Sequence, residues 1–90
     1  MIVKIFTLTK GLEVFDRVIA IRIKSKDYNL LILKDYVSLL GEIHGTLEIE
    51  LEDNSTIKYD KIDANFINDS NIFSIIIDEE KHDWLFLWIR

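Results

Sequence analysis

Leu47-Glu48-Ile49-Glu50-Leu51-Glu52-Asp53-Asn54-Ser55-Thr56-Ile57-Lys58-Tyr59 decides the fold. Leucine and isoleucine alternate with glutamate before three turn formers, and apolar and polar residues alternate again after them. Side chains of a strand point to opposite faces with a period of two, so this pattern predicts a hairpin with one core face and one solvated face. The glutamate stripe is a solubilising surface in this reading, and its like charges need an opposite strand such as the one carrying Lys58.

The same period extends outward from the hairpin. Val3, Ile5 and Thr7 oppose Lys4, Phe6 and Leu8, and Ile19, Ile21 and Ile23 oppose Ala20, Arg22 and Lys24. Lys10-Gly11 breaks the first strand, and Val14-Phe15 restarts an extended segment that runs past Asp16-Arg17 into Val18–Lys24. Turn formers follow at Lys26-Asp27-Tyr28-Asn29, then the apolar run Leu30–Leu33 and the mixed segment Tyr36–Leu40. His44-Gly45 reads as a turn. Ala64–Asn68 and Ile72–Asp78 form a second pair, joined across Asn68-Asp69-Ser70-Asn71, whose side chains bond their own backbone and tolerate left-handed geometry. Short strands separated by turn signals every eight to twelve residues predict an all-β domain, a small two-sheet β-sandwich or flattened barrel.

Composition agrees. The chain has 90 residues, of which 49% are hydrophobic and 30% charged, with no cysteine and no proline. Sixteen isoleucines, four valines and four threonines favour strands, because branched Cβ atoms fit a pleated surface. A domain this small hides only about 60% of its unfolded surface, and without disulfides its apolar residues must supply the stability. The formal net charge is −5, which speaks against nucleic acid and anionic membranes as partners, since both demand clustered Lys and Arg. Residues 1–45 carry seven basic and five acidic side chains (net +2), residues 46–90 four and eleven (net −7). Such asymmetry steers a docking partner. No run reaches the roughly eighteen apolar residues of a membrane span, and the N-terminus lacks the form of a signal peptide, so direct membrane insertion is not expected and a cytoplasmic protein is.

Residues 79–90 form a separate short segment in which an acidic start precedes Trp84-Leu85-Phe86-Leu87-Trp88-Ile89. Helix and strand both fit it. Two tryptophans are costly to leave in water, so the segment either closes the edge of the domain's own core or meets a partner through Trp84 and Trp88.

Catalytic chemistry finds no foothold. Glu79, Glu80, His82 and Asp83 have the residue types of a metal site but the spacing of none, and no serine sits in a Gly-x-Ser-x-Gly elbow. Gly11, Gly41 and Gly45 make neither a P-loop nor a dinucleotide fingerprint. The expectation is a non-catalytic domain with no cofactor and no metal.

Residues 2–78 resemble, in segment order, the N-terminal β-sandwich domain of the epsilon subunit of F-type ATP synthases. The likeness rests on Ile5-Phe6-Thr7, a polar turn ending at Gly11, Glu13-Val14-Phe15-Asp16 and the following alternating strand; on Ile32, Leu33, Leu39 and Leu40 in a second motif; on Gly45 before the Thr46–Glu52 strand; and on Asn71-Ile72 leading to Asp78. The chain departs from the family at Tyr28 and Leu31 (glycines), Lys34 (proline), Tyr36 (histidine) and Ile62-Asp63 (paired glycines). The resemblance implies a rotor subunit of the central stalk, peripheral at the inner face of the membrane as part of a complex, which binds the gamma subunit and rests on the membrane ring. By the same resemblance this subunit is expected to belong either to a synthase, as a short form, or to a paralogous F-type-like motor ATPase. By position it places Tyr36, Val37, Leu39 and Leu40 against gamma and Asp27, Tyr28 and Asn29 towards the ring. It also implies that twelve residues, about 18 Å of helix, cannot make the family's inhibitory C-terminal hairpin. Leu39 and Leu40 fit the sandwich core equally well, whereas Tyr28 and Tyr36, flanked by charges, are expected to be accessible. The alternative of another class is a stand-alone small β-barrel that binds a ligand or peptide along an edge strand.

Overall fold

The computed structural model describes residues 1–78, and there the chain is all β. Seven strands follow one another: β1 (Ile2–Thr7), β2 (Gly11–Phe15), β3 (Val18–Ser25), β4 (Asn29–Ile32), β5 (Leu39–Leu51), β6 (Thr56–Asp69) and β7 (Ile72–Ile77). They hydrogen-bond as one sheet in the order β2-β1-β7-β6-β5-β3-β4. All neighbours are antiparallel except β1 and β7, which run parallel.

The hairpin read from residues 47–59 is present, with Glu48 opposite Lys58 and Ile49 opposite Ile57. Its turn is locked by Asp53, whose Oδ1 accepts from the Ser55 amide at 2.9 Å and the Ser55 hydroxyl at 2.5 Å. The hydroxyl bond holds the Asp53 carboxyl below its ordinary value. Asn54 takes the left-handed conformation the turn needs, at φ 69°. Charge along the glutamate stripe is relieved across strands, since the Arg22 guanidinium on β3 lies 2.6 Å from Glu50.

Both strands of this hairpin run further than the alternation indicates. β5 has 13 residues and β6 has 14, and their register shifts between Gly45 and Leu47. His44-Gly45 is therefore no turn but mid-strand, and Thr56–Ile62 and Ala64–Asn68 are one strand. Lys61 at φ 53° absorbs the extra residue in β6, which bends the long ribbon. Beyond the bend, the first half of β5 and the second half of β6 carry β7, β1 and β2; the other halves carry β3 and β4.

Bending brings the two halves face to face. Val3, Ile5, Phe66, Phe73 and Ile75 from one half share a single buried cluster with Ile21, Ile23, Ile32, Leu47 and Ile49 from the other. One face of a flat sheet would stay wet, so among the described residues the halves cover each other, and the sandwich is built from one continuous sheet. The Phe66 and Phe73 rings stack with centroids 5.1 Å apart. At one end the Val18 amide donates to the Met1 carbonyl at 3.4 Å, drawing the start of β3 against the start of β1 although they are not neighbours in the sheet.

The predicted phase of β3 is wrong at its start. Ile21 and Ile23 are buried, but Ile19 is exposed and Ala20 is inside, because an irregularity between Val18 and Ala20 shifts the alternation by one residue.

Candidate interaction surface

The outside of the β2-β1-β7-β6-β5 half does not look like a solvated face. Strand register aligns its outward side chains into two rows that cross the strands. One row runs Leu40, Ile67, Ser74, Lys4 and Val14; the next runs Glu42, Asn65, Ile76, Phe6 and Leu12. Six large apolar residues in these rows are exposed, among them Leu40 at 76%, Leu12 at 62% and Ile76 at 60%. Single exposed apolar residues are ordinary, but a contiguous group is a mark of an interaction surface. Phe6, Leu12, Ile67 and Ile76 line a shallow depression of about 380 Å³, with Lys4 and Asn65 among its polar residues. Among the described residues the Lys4 ammonium has no carboxylate within salt-bridge distance.

Tyr36 and Val37 lie at the edge of this face, in the loop from β4 to β5, and both are exposed, Val37 at 69%. Leu40 leads directly from that loop onto the first apolar row. Leu39 points the other way and packs half-buried against the core. The two leucines are thus divided: Leu39 belongs to the core and Leu40 to the surface.

Asp27, Tyr28 and Asn29 occupy the turn from β3 into β4, with Asp27 and Asn29 exposed. Tyr28 is only half accessible, because its hydroxyl donates to the Glu42 carbonyl at 2.5 Å and its ring packs against the core. Burial raises its pKa first, the Glu42 charge adds to that, and a hydrogen bond with Ser25 works against both. Tyr28 closes over Gly41, on the side of β5 opposite Leu40. The structure therefore does not join the two predicted groups into one site. Trp84 and Trp88 lie outside the described residues, as do Glu79, Glu80, His82 and Asp83.

Phe6, Leu12, Val14, Ile67 and Ile76 escaped the sequence reading as surface residues. One signal for them exists: Ile75-Ile76-Ile77 is apolar on both faces of its strand, and Phe6 is a large apolar residue in the phase opposite Val3 and Ile5. A strand buried on one side only should alternate. As for chemistry, no group of three or more His, Cys, Asp or Glu gathers into a metal-binding arrangement among the described residues. His44 Nδ1 lies 2.7 Å from Asp63 Oδ1 on the exposed surface, a contact across β5 and β6.

No family model and no curated protein matches the chain. Among solved structures, the cryo-EM structure of the Tetrahymena thermophila mitochondrial ATP synthase central stalk and c-ring contains a similar chain, with a TM-score of 0.67 and 23% identity. The match covers 88% of this chain and 63% of that one, so this chain spans less than two thirds of the relative's length. At that identity the likeness is one of fold, and the fold is shared almost throughout.

Proposed function

We propose that the chain is a non-catalytic rotor subunit of the central stalk of an F-type or F-type-like rotary ATPase, which binds the gamma subunit and turns with it in the cytoplasm. The observation that carries this reading is the likeness of nearly the whole domain to a chain from a central stalk and c-ring assembly. The outer sheet face supports it, since a subunit that transmits torque needs a broad rigid contact and no reaction cleft. Tyr36, Val37 and Leu40 would meet gamma at one edge of that face, and Phe6, Leu12, Ile67 and Ile76 would extend the contact across it. Leu39 would act indirectly, by anchoring Leu40 from the core side. The exposed turn residues Asp27 and Asn29, with Tyr28 behind them, stand apart from this face and are free to meet the membrane ring.

Co-expression with the gamma subunit encoded in the same genome tests the proposal. A stable complex that survives gel filtration is expected, and the chain remaining a free monomer beside folded gamma would sink it. Recovery of gamma together with ring subunits would identify a synthase component; gamma without a ring would identify a motor paralogue.

A further inference from the structure

The loop that carries Tyr36 and Val37 is not held by its own strands alone. It spans residues 33–38, between β4 and β5, and is strapped to the end of β6 and the β6–β7 turn by four side-chain bonds. The Asp35 amide donates to Asn71 Oδ1 at 2.6 Å, and Asn71 Nδ2 donates back to Asp35 Oδ1 at 3.0 Å. Ser38 Oγ donates to Asp69 Oδ1 at 2.6 Å, and Asn68 Nδ2 donates to the Val37 carbonyl at 3.2 Å. Positions 35, 37 and 38 are thereby fixed, and Tyr36 is left between them as an exposed side chain on an anchored backbone.

The β6–β7 turn is suited to such a task. Ser70 at φ 52° and Asn71 at φ 64° both occupy left-handed conformations, the geometry of a tight two-residue hairpin. Asp35 also sits at φ 64°, so its own loop is bent where the Asn71 side chain meets it. Two left-handed residues 36 positions apart in sequence thus bond each other reciprocally.

We propose that Asn71 is a positioning residue for partner docking: through Asp35 it holds the Tyr36–Leu40 segment in its docking conformation before the partner arrives. The inference rests on the gamma-binding reading above. A segment ordered in advance loses less conformational freedom on association, so the clasp strengthens binding without touching the partner.

The test separates the clasp from the turn. In Asn71→Gly the turn keeps its geometry, because glycine accepts positive φ freely, but both bonds to Asp35 are lost. Hydrogen exchange of residues 33–40 in the isolated chain should accelerate about tenfold while that of β7 stays unchanged, and affinity for the gamma subunit should fall about tenfold. Asn71→Asp should loosen the loop similarly, by setting two carboxylates together. Adding Asp35→Asn to it should restore both readouts, since the amide then donates in the opposite direction. Unchanged exchange in Asn71→Gly would overturn the inference, as would faster exchange with undiminished affinity. Failure of the wild-type chain to bind gamma would instead overturn the docking reading, and the exchange result would still decide whether Asn71 orders the segment.

Discussion

Leu40 on β5 stands directly opposite Ile67 on β6, and both side chains point out of the sandwich, exposed at 76% and 48%. Such a pair contributes little to the fold, because Leu40 stays mostly in solvent and Ile67 is only half withdrawn from it. Leu40→Asp should therefore lower unfolding free energy by no more than about 1 kcal/mol in urea titration. If gamma covers the pair, the same change should weaken that complex by about 2 kcal/mol or more, some thirtyfold in Kd by titration calorimetry. A Leu40→Asp chain that binds gamma with wild-type affinity would move the contact elsewhere.

Gly45 is needed for close approach. A Cβ at that position would stand 2.1 Å from the Lys24 carbonyl oxygen, and the obstructing atom is backbone that cannot rotate away. Gly45 pairs with Ser25 on one side and with Ile62 on the other, beside the bend of the long ribbon. Gly45→Ala should cost about 1–3 kcal/mol, comparable to overpacking a core. Gly41 is the contrast, since its nearest neighbours are the Phe66 ring at 3.0 Å and the Tyr28 hydroxyl. A ring can shift by a few tenths of an ångström, so Gly41→Ala should cost less than Gly45→Ala in parallel chemical melts.

These two positions also show where sequence reasoning reaches and where it stops. Leu47, Ile49, Val3 and Ile5 are all fully buried, as their alternation demanded, because a period of two is a local property of a strand. Ile19 faces outward where its alternation with Ile21 predicts inward, because a bulge adds one residue without leaving a compositional mark. His44-Gly45 reads as a turn in the sequence yet lies within β5, because glycine signals a turn and a close backbone approach alike. The outer apolar face was harder still to see. Its rows join residues from five strands, and only the sheet order sets Leu40, Ile67, Phe6 and Leu12 on one side of the domain.

Lys61 holds a left-handed conformation, φ 53°, with an exposed side chain, where the long β6 strand bends. A residue with a Cβ is strained there, and a β-branched one most of all. Lys61→Gly should raise stability by up to about 1 kcal/mol, less whatever the added freedom of the unfolded chain removes. Lys61→Val should lower it by at least about 1 kcal/mol. Equal urea midpoints for the two variants would show that the bend does not depend on this conformation.

Tyr28 makes alkaline pH a probe of the β3–β4 turn. Its hydroxyl donates to the Glu42 carbonyl at 2.5 Å, and burial first, then the Glu42 charge, raise its pKa above the ordinary 10.0. Ionisation removes the donated proton and leaves a phenolate in a half-dry site beside a carboxylate, so the folded state resists it more than the unfolded state does. The sign follows from linkage: the stabilisation is fully present below the unfolded pKa and is lost as pH rises through the higher folded value. Tyr28→Phe should cost about 1 kcal/mol at neutral pH, the net worth of one hydrogen bond. The stability difference between wild type and Tyr28→Phe should then shrink as pH climbs past 10. Absorbance of the phenolate, taken as wild type minus Tyr28→Phe, should give a midpoint above 10.0 for this residue. A midpoint at or below that value would mean that the hydroxyl is solvated and that the turn is held by its backbone bonds alone, chiefly the Ser25 amide to the Tyr28 carbonyl at 2.8 Å.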